Sequence, residues 1–425
     1  MRNGQSRANR PPLTRTVRRT ALLATAVALL AAAVPGTAFA ANGTNATHRA
    51  ALPGHCATAR GALADRLDTL VARDGIPGVA AEVTGPDCGR WTVARGVADR
   101  DTGRPMRTED RLRIGSITKT FTATVVVQLA AEGRIALDAP VERYLPGLIR
   151  GNGYDGRRIT VRQLLQHTSG LPDHVDAIAG QPLKEWRLRH YEPRELVALA
   201  LTLPHPESTW SYSTTNYVLA GLIVEQVTGH RVEAEVNRRI VRPLGLRDTY
   251  WPGDRTGIQG PHSHSYFPDP DPGAPDGSPL RDGTTWNMTI GGAGGALVST
   301  PADLNRFYRG LFDGRLLPAR WLAEMKRTVP ADPQRLWPGA RYGLGLISSP
   351  LSCGGQWWGH GGTVPGGHRA LGAVGPDGSG VALALTKVPD TDRAEEEFLA
   401  AIDTALCHTR NETGHPDDNP HQETT

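Results

Sequence analysis

Ser116-Ile117-Thr118-Lys119 sets a hydroxyl and an amine three residues apart, and on a helix that spacing stacks the two side chains one turn apart on one face. An amine within hydrogen-bond reach of a serine can take its proton, turning a weak nucleophile into one able to attack a carbonyl and form an acyl-enzyme. Only four lysines and fourteen serines occur among 425 residues, so random placement gives about 0.13 such pairs. Two further sets follow in the chain: Tyr212-Ser213-Thr214, and His360-Gly361-Gly362-Thr363 just before a pair of strand signals. A lysine at its ordinary pKa of about 10.4 is neutral at pH 7 only about once in 2,500 molecules, a shortfall of about 4.6 kcal/mol. Lys119 must therefore be desolvated, or lie near cations such as His360 and neighbouring arginines, or share the work with Tyr212.

The elements that must position these groups are legible from periodicity. Leu63, Leu67, Leu70 and Val71 recur at helix spacing, which predicts a helix from Thr58 to Arg73 ended by Gly75. "GVAAEVTG" and "RWTVARGV" follow as strands; "RALGAVG" and "GVALALTKV" form a second pair, and "DRAEEEFLAAIDTALC" reads as a closing helix. Between them lie mostly helical signals: "SITKTFTATVVVQLAAEGR", read as amphipathic, then "VRQLLQHTSG", "PRELVALALTL", "TTNYVLAGLIVEQVTG" and "RVEAEVNRRIV". The expected fold is α/β in the α+β sense, an antiparallel sheet built from the N- and C-terminal segments and flanked by helices, with a mostly helical insertion. The expected organisation is a leader over 1–40, a linker over 41–57, an α/β lobe from 58–115 with 300–408, a helical lobe over 116–299, and a polar disordered tail over 409–425.

The first forty residues read as an export signal: an Arg-rich leader, an apolar run from Ala21 to Val34 and a small-residue site at Ala38-Phe39-Ala40, so cleavage is expected near Ala40 and the mature protein outside the cell. Arg18-Arg19 matches a twin-arginine signal only loosely. The apolar run is too short for a comfortable membrane span, and no stable membrane anchor is expected. Four cysteines in an exported chain make two disulfides the expectation, and of three connectivities proximity favours Cys56 with Cys88 and Cys353 with Cys407. The net charge of +4 is scattered, without a basic stretch interleaved with aromatics, so nucleic acid is not implied. Gly257 to Thr285 reads as a long irregular loop. His262, His264, Asp269 and Asp271 within it are not expected to hold a metal, and no cofactor is called for, since an acyl-enzyme nucleophile needs neither.

The ordered set of Ser116-x-x-Lys119, Tyr212-Ser213-Thr214 and His360-Gly361-Gly362-Thr363 resembles the serine β-lactamase and D-alanyl-D-alanine carboxypeptidase superfamily, specifically its class C-like branch. The resemblance runs from about Thr58 to Cys407. It includes "GIPGVAAEV", "LDAPVERYLPG", "ITVRQLLQHTSGLPD", "WSYSTTNYVLAGLIVEQVTGH", "RPLGLRDTYW", "GGALVSTPADLNRF" and "GHGGTVPGG". It implies Ser116 as nucleophile, Lys119 as its proton acceptor and Tyr212 as the shuttle to the leaving group. The N–H groups of Ser116 and Thr363 would form the oxyanion hole, with Thr214, His360, Gly361 and Gly362 on the substrate. His167 reads as the structural end of a helix; Trp286, Trp357 and Trp358 stand between cleft lining and core, and Trp286 is the one taken as a substrate-binding candidate.

Two positions depart from that pattern. Thr214 stands where an Asn usually bonds both the lysine and the substrate, and a Thr can serve only one of them. Gly361 stands where a hydroxyl usually bonds a substrate carboxylate, and no basic residue directly precedes Cys353; Arg369 in "GGHRA" is the alternative partner. The reading is thus a secreted serine hydrolase, D-alanyl-D-alanine carboxypeptidase-like, acting on a small-molecule or peptidoglycan-type acyl substrate. An esterase or β-lactamase is the alternative, and a slow penicillin- or peptide-binding protein the third.

Overall fold

Strand-forming segments at both ends of the chain meet in one nine-stranded antiparallel sheet. Its strands are β1 (Gly78–Gly85), β2 (Gly89–Asp99), β3 (Arg104–Pro105), β4 (Val329–Pro330), β5 (Arg341–Tyr342), β6 (Ile347–Pro350), β7 (Gln356–Thr363), β8 (Arg369–Val374) and β9 (Gly380–Leu385). They lie in the order β4-β5-β6-β7-β8-β9-β1-β2-β3. The central ladder pairs Val79 with Leu385 and Val83 with Val381, so the first strand closes on the last. The computed structural model describes residues 54–268 and 279–408. The leader, most of the linker, Asp269, Asp271 and the polar tail lie outside the described residues.

Residue size alternates across the inner strands. Leu371, Ala373, Val381, Leu383 and Leu385 face the terminal helices α1 (Gly54–Ala72) and α7 (Asp392–Cys407) through Leu63, Leu67, Phe398 and Ile402. Ala370, Ala382 and Ala384 on the other face admit α6 (Pro301–Phe312) with Phe307 and Tyr308. The period-two pattern thus specifies both layers at once. α1 begins four residues before the expected Thr58, so 54–57 are helix rather than linker. Cys56 is fully buried there in a disulfide to Cys88, which ties the helix to the β1–β2 hairpin. Cys353 and Cys407 are joined as well, fixing the end of α7 to the turn before β7.

Between the two strand sets the chain is mainly helical. α2 (Thr118–Ala131) carries Lys119; α3 (Val161–Gln166) ends at His167; α4 (His174–Ala179) and α5 (Thr214–Thr228) follow. α2 is not the amphipathic helix its sequence suggests: twelve of its fourteen residues are buried, as expected of a helix enclosed on all sides. Its threonines are satisfied there, Thr120 donating to the Gly345 carbonyl at 2.8 Å and Thr122 to that of Ala293 at 2.7 Å.

Arg113, two residues before the turn that holds Ser116, is 1% exposed. Among the described residues it has no ion-pair partner. Its Nη2 donates to the carbonyls of Thr256, Thr284 and Trp286, and Nη1 is buried without a partner. Burial pushes its guanidinium down to about 10, still charged at neutral pH. One side chain therefore clips both ends of the 256–286 segment to the strand entering the turn that holds Ser116. No helix among the described residues is long and apolar enough to cross a membrane.

Candidate active site

Ser116 lies in a single 3₁₀ turn, Gly115–Ile117, that leads directly into α2. β7 runs backbone to backbone against that turn. A Cβ on Gly362 would sit 1.9 Å from the Ile114 carbonyl oxygen and 3.1 Å from the Ser116 nitrogen, and one on Gly115, where φ is +50°, would sit 2.6 Å from the Thr363 oxygen. Glycine at both positions is what lets the end of β7 reach the serine.

One helical turn on, Lys119 Nζ lies 3.0 Å from Ser116 Oγ and 2.9 Å from the carbonyl oxygen of Gly294. The amine is wholly buried, 4.8 Å from the Tyr212 ring centre and 5.6 Å from that of Tyr217. Burial pushes its pKa down to about 7; the Asp173 carboxylate opposes the shift and Arg335 adds to it. A neutral amine at that distance can accept the serine proton near neutral pH. The Tyr212 hydroxyl hydrogen-bonds with Ser116, and burial raises its pKa, so the phenol keeps its proton and serves as a donor.

His360 does not supply the cationic field expected of it. Burial, reinforced by the Lys119 charge, pushes its pKa down to about 3, so the ring is neutral. Its Nε2 lies 2.8 Å from the Tyr342 hydroxyl and its Nδ1 faces the Gly361 carbonyl. The depression of Lys119 comes from desolvation first.

Thr214 answers the question posed by the missing Asn. Its backbone N–H and its hydroxyl both donate to Asp173 Oδ2, at 2.9 and 3.1 Å, while Asp173 Oδ1 caps α4 by accepting from Val175 N at 3.1 Å. The lysine's second acceptor is instead the backbone of Gly294. A Cβ there would press on Thr214 Cγ2 at 2.8 Å, so the glycine run "GGAGG" brings a carbonyl where a side-chain amide is absent.

Ser116, Tyr212, Thr214, His360, Gly361, Gly362 and Thr363 all line one cleft of about 500 Å³. Trp286 does not. It is 0% exposed and packs edge-on against Trp186 at 5.0 Å, because the Arg113 clip draws its backbone inward. Trp357 is core, packed beside Trp337, and it is Trp337 that reaches the cleft. His167 does end α3, in a left-handed conformation with φ 62°, yet it also supports the site. Its ring lies 4.3 Å from that of Tyr212, and Nδ1 accepts from Ser213 N and Asn216 Nδ2, each at 3.2 Å. His264 pairs with Asp282 at 2.7 Å. The cluster His55, Cys56 and Cys88 has metal-like proximity, but both sulfurs are spent in a disulfide.

Sequence reasoning missed Asp173, Asp176, Gly294, Arg335 and Glu395. The cleft is also not free of cations, as the segment before Cys353 suggests: Arg335, from the loop joining β4 and β5, lies 5.5 Å over the Tyr212 ring, and Arg369 lines the wall below Gly361. Three signals were available. Asp173 follows Pro172 at a helix start, the threonines of α2 needed buried acceptors, and "GGAGG" is too glycine-rich for an ordinary connection.

A serine in hydrogen-bond contact with a buried lysine at the head of a buried helix, faced by the end of an inner strand of the sheet, fits a serine hydrolase, and the chain belongs to the Beta-lactamase family, which matches over residues 63–406. It is similar to a D-stereospecific amidohydrolase from Streptomyces sp., with 41% identity and a TM-score of 0.71 over 82% of this chain and 99% of that one. It is similar also to a D-amino acid amidase from Ochrobactrum anthropi SV3, at 28% identity and a TM-score of 0.69 over 81% and 99% of the two chains. Among sequence relatives, Esterase EstB of Burkholderia gladioli is 39% identical over 36% of this chain and 42% of its own. Penicillin-binding protein 4 of Amycolatopsis lactamdurans is 30% identical over 60% and 64%. The chain thus spans less than two thirds of the length of either sequence relative.

Proposed function

We propose that the protein is an exported serine hydrolase that cleaves amide and ester bonds on the carboxyl side of a D-amino-acid residue, a D-alanyl-D-alanine peptide being one member of that class. The observation that carries this reading is the charge of the acyl-side wall. Asp173 and Asp176 line the cleft beside Thr214, and among the described residues the Asp176 carboxylate makes no hydrogen bond or ion pair. The side chain is exposed to the cleft, and partial desolvation, with Asp173 next and Arg335 opposing, raises its pKa above the ordinary value. Such a wall suits a substrate ammonium better than an anionic acyl group. Two disulfides support an oxidising compartment. The site would lie between an α/β lobe (58–115 and 300–408) and a helical lobe (116–299).

In the proposed step, Ser116 Oγ bonds to the carbonyl carbon as its proton passes to Lys119. Tyr212 delivers its proton to the leaving nitrogen as the C–N bond breaks and is reprotonated with the proton that Lys119 took from Ser116, and the N–H groups of Ser116 and Thr363 receive the oxyanion. Water then repeats the sequence on the acyl-enzyme. A panel tests the substrate class: D- and L-phenylalanine amide, N-acetyl-D-phenylalanine amide, a D-Ala-D-Ala peptide, a short nitrophenyl ester and a cephalosporin. The free D-amide is expected to exceed both its L-isomer and its N-acetyl form by at least ~10-fold in kcat/KM, since each charged hydrogen bond contributes about 1.5 to 3 kcal/mol. Preference for N-acylated substrates would overturn the reading. An esterase is the second reading, favoured by Gly361, because an ester needs no carboxylate contact there.

The same chemistry fixes a pH dependence. Only neutral Lys119 accepts a proton, and its neutral fraction rises with pH through about 7. Acylation should therefore rise about tenfold per pH unit below that point and level off above it. Stopped-flow acylation from pH 5 to 9 measures this; a rate flat across neutrality would remove Lys119 as the base.

A further inference from the structure

Gly361 leaves more than a missing hydroxyl. A Cβ at this position would lie 2.8 Å from Arg369 Nη1, so the guanidinium occupies the space into which a side chain at 361 would project. Arg369 sits on β8 opposite Thr363, the residue that ends β7 beside Ser116. Its side chain is only 9% exposed. Nη2 donates to Glu395 on α7, and the guanidinium carbon stacks 4.7 Å from the Phe398 ring centre. The head group is thus fixed on one side by an acid and an aromatic ring. Nη1 has no hydrogen-bond partner among the described residues and is not sealed from solvent, and both Arg369 and Glu395 line the cleft that contains Ser116. A guanidinium held in one orientation with a donor left over is preorganised to bind an oxygen.

We infer that Arg369 is the specificity-determining residue on the leaving-group side: Nη1 donates to a carbonyl or carboxylate oxygen of the residue that departs. This rests on the reading above, because a substrate ammonium at Asp176 leaves Arg369 on the departing side of the scissile bond. The preferred substrates then carry an amino-acid residue beyond that bond, and primary amides and simple alkyl esters are poorer. Because Glu395 already neutralises the guanidinium, the recognised feature is the oxygen acceptor rather than a net negative charge. A capped leaving residue is therefore accepted along with a free one.

The experiment compares D-phenylalanyl-D-alanine amide with D-phenylalanine methyl ester, two substrates that give one acyl-enzyme and differ only in what leaves. The ratio of their kcat/KM values is expected to fall at least ~10-fold in Arg369→Met, the loss falling on the dipeptide. Gly361→Ala, which retains Arg369 and Glu395 but sets a methyl group 2.8 Å from Nη1 so that the guanidinium must move, should shift the ratio in the same direction by ~3-fold or more, and it stands in should Arg369→Met fail to fold. A ratio equal to wild type in Gly361→Ala, or in a folded Arg369→Met, would reduce Arg369 to a structural ion pair. If the wild type ignores D-aminoacyl compounds, the substrate-class reading fails separately. The ratio is then read on butyryl glycolamide ester against ethyl butyrate, which differ by the same leaving-side carbonyl, with the same outcomes for and against.

Discussion

Ser116→Ala is expected to abolish covalent labelling by a fluorophosphonate and by a fluorescent penicillin, and to remove at least ~10³-fold of turnover. The hydroxyl is the group placed 3.0 Å from a buried amine whose pKa lies near 7. Lys119→Ala should be nearly as severe, because nucleophile and base act as a unit and either loss disables both. The residual rate would come from the oxyanion donors and substrate binding alone. Intact-mass measurement of the trapped acyl-enzyme, with circular dichroism to confirm folding, decides the matter. Turnover near wild type in either folded variant would mean that the Ser116 site is not the catalytic one.

The second large effect concerns Arg113. Arg113→Ala should lower stability by about 3 to 5 kcal/mol, read as the shift of the urea midpoint. It strips a donor from the carbonyls of Thr256, Thr284 and Trp286 and leaves a void among buried groups. Arg113→Met should cost less, since it refills the volume and removes an uncompensated charge along with the unpartnered Nη1. KM should rise in both, because the clipped segment leads straight into Met288 and Ile290, which line the cleft. A wild-type urea midpoint for Arg113→Ala would show that the clip carries no load.

Much of this architecture is legible in the sequence because local patterns coincide with global roles. The terminal strands alternate or run apolar, the closing helix shows its stripe, and the Ser-x-x-Lys spacing is local, so one helical turn suffices to join Ser116 and Lys119. What escaped depends on contacts between distant segments. Nothing near Lys119 announces that its second acceptor is the backbone of residue 294, or that Arg335 returns from another loop to lie over Tyr212. Trp286 looked like a cleft aromatic because an indole before a glycine-rich run suits either surface or core. Its fate was set by Arg113, a charge that composition places on the surface and that three carbonyls hold inside. His360 looked cationic by kinship with lysine; burial made it neutral.

The ladder between β1 and β9 has a temporal consequence. Gly78 donates to Thr386 across 308 positions, and the neighbouring pairs are of the same reach. The amino-terminal hairpin therefore waits for nearly the whole polypeptide before its apolar edge is covered, and such long-range pairings form slowly because loop closure precedes any reward. During synthesis, at about 5 to 20 residues per second, that edge stays open for tens of seconds, a window in which a holding chaperone or a translocation machine would find the chain still threadable.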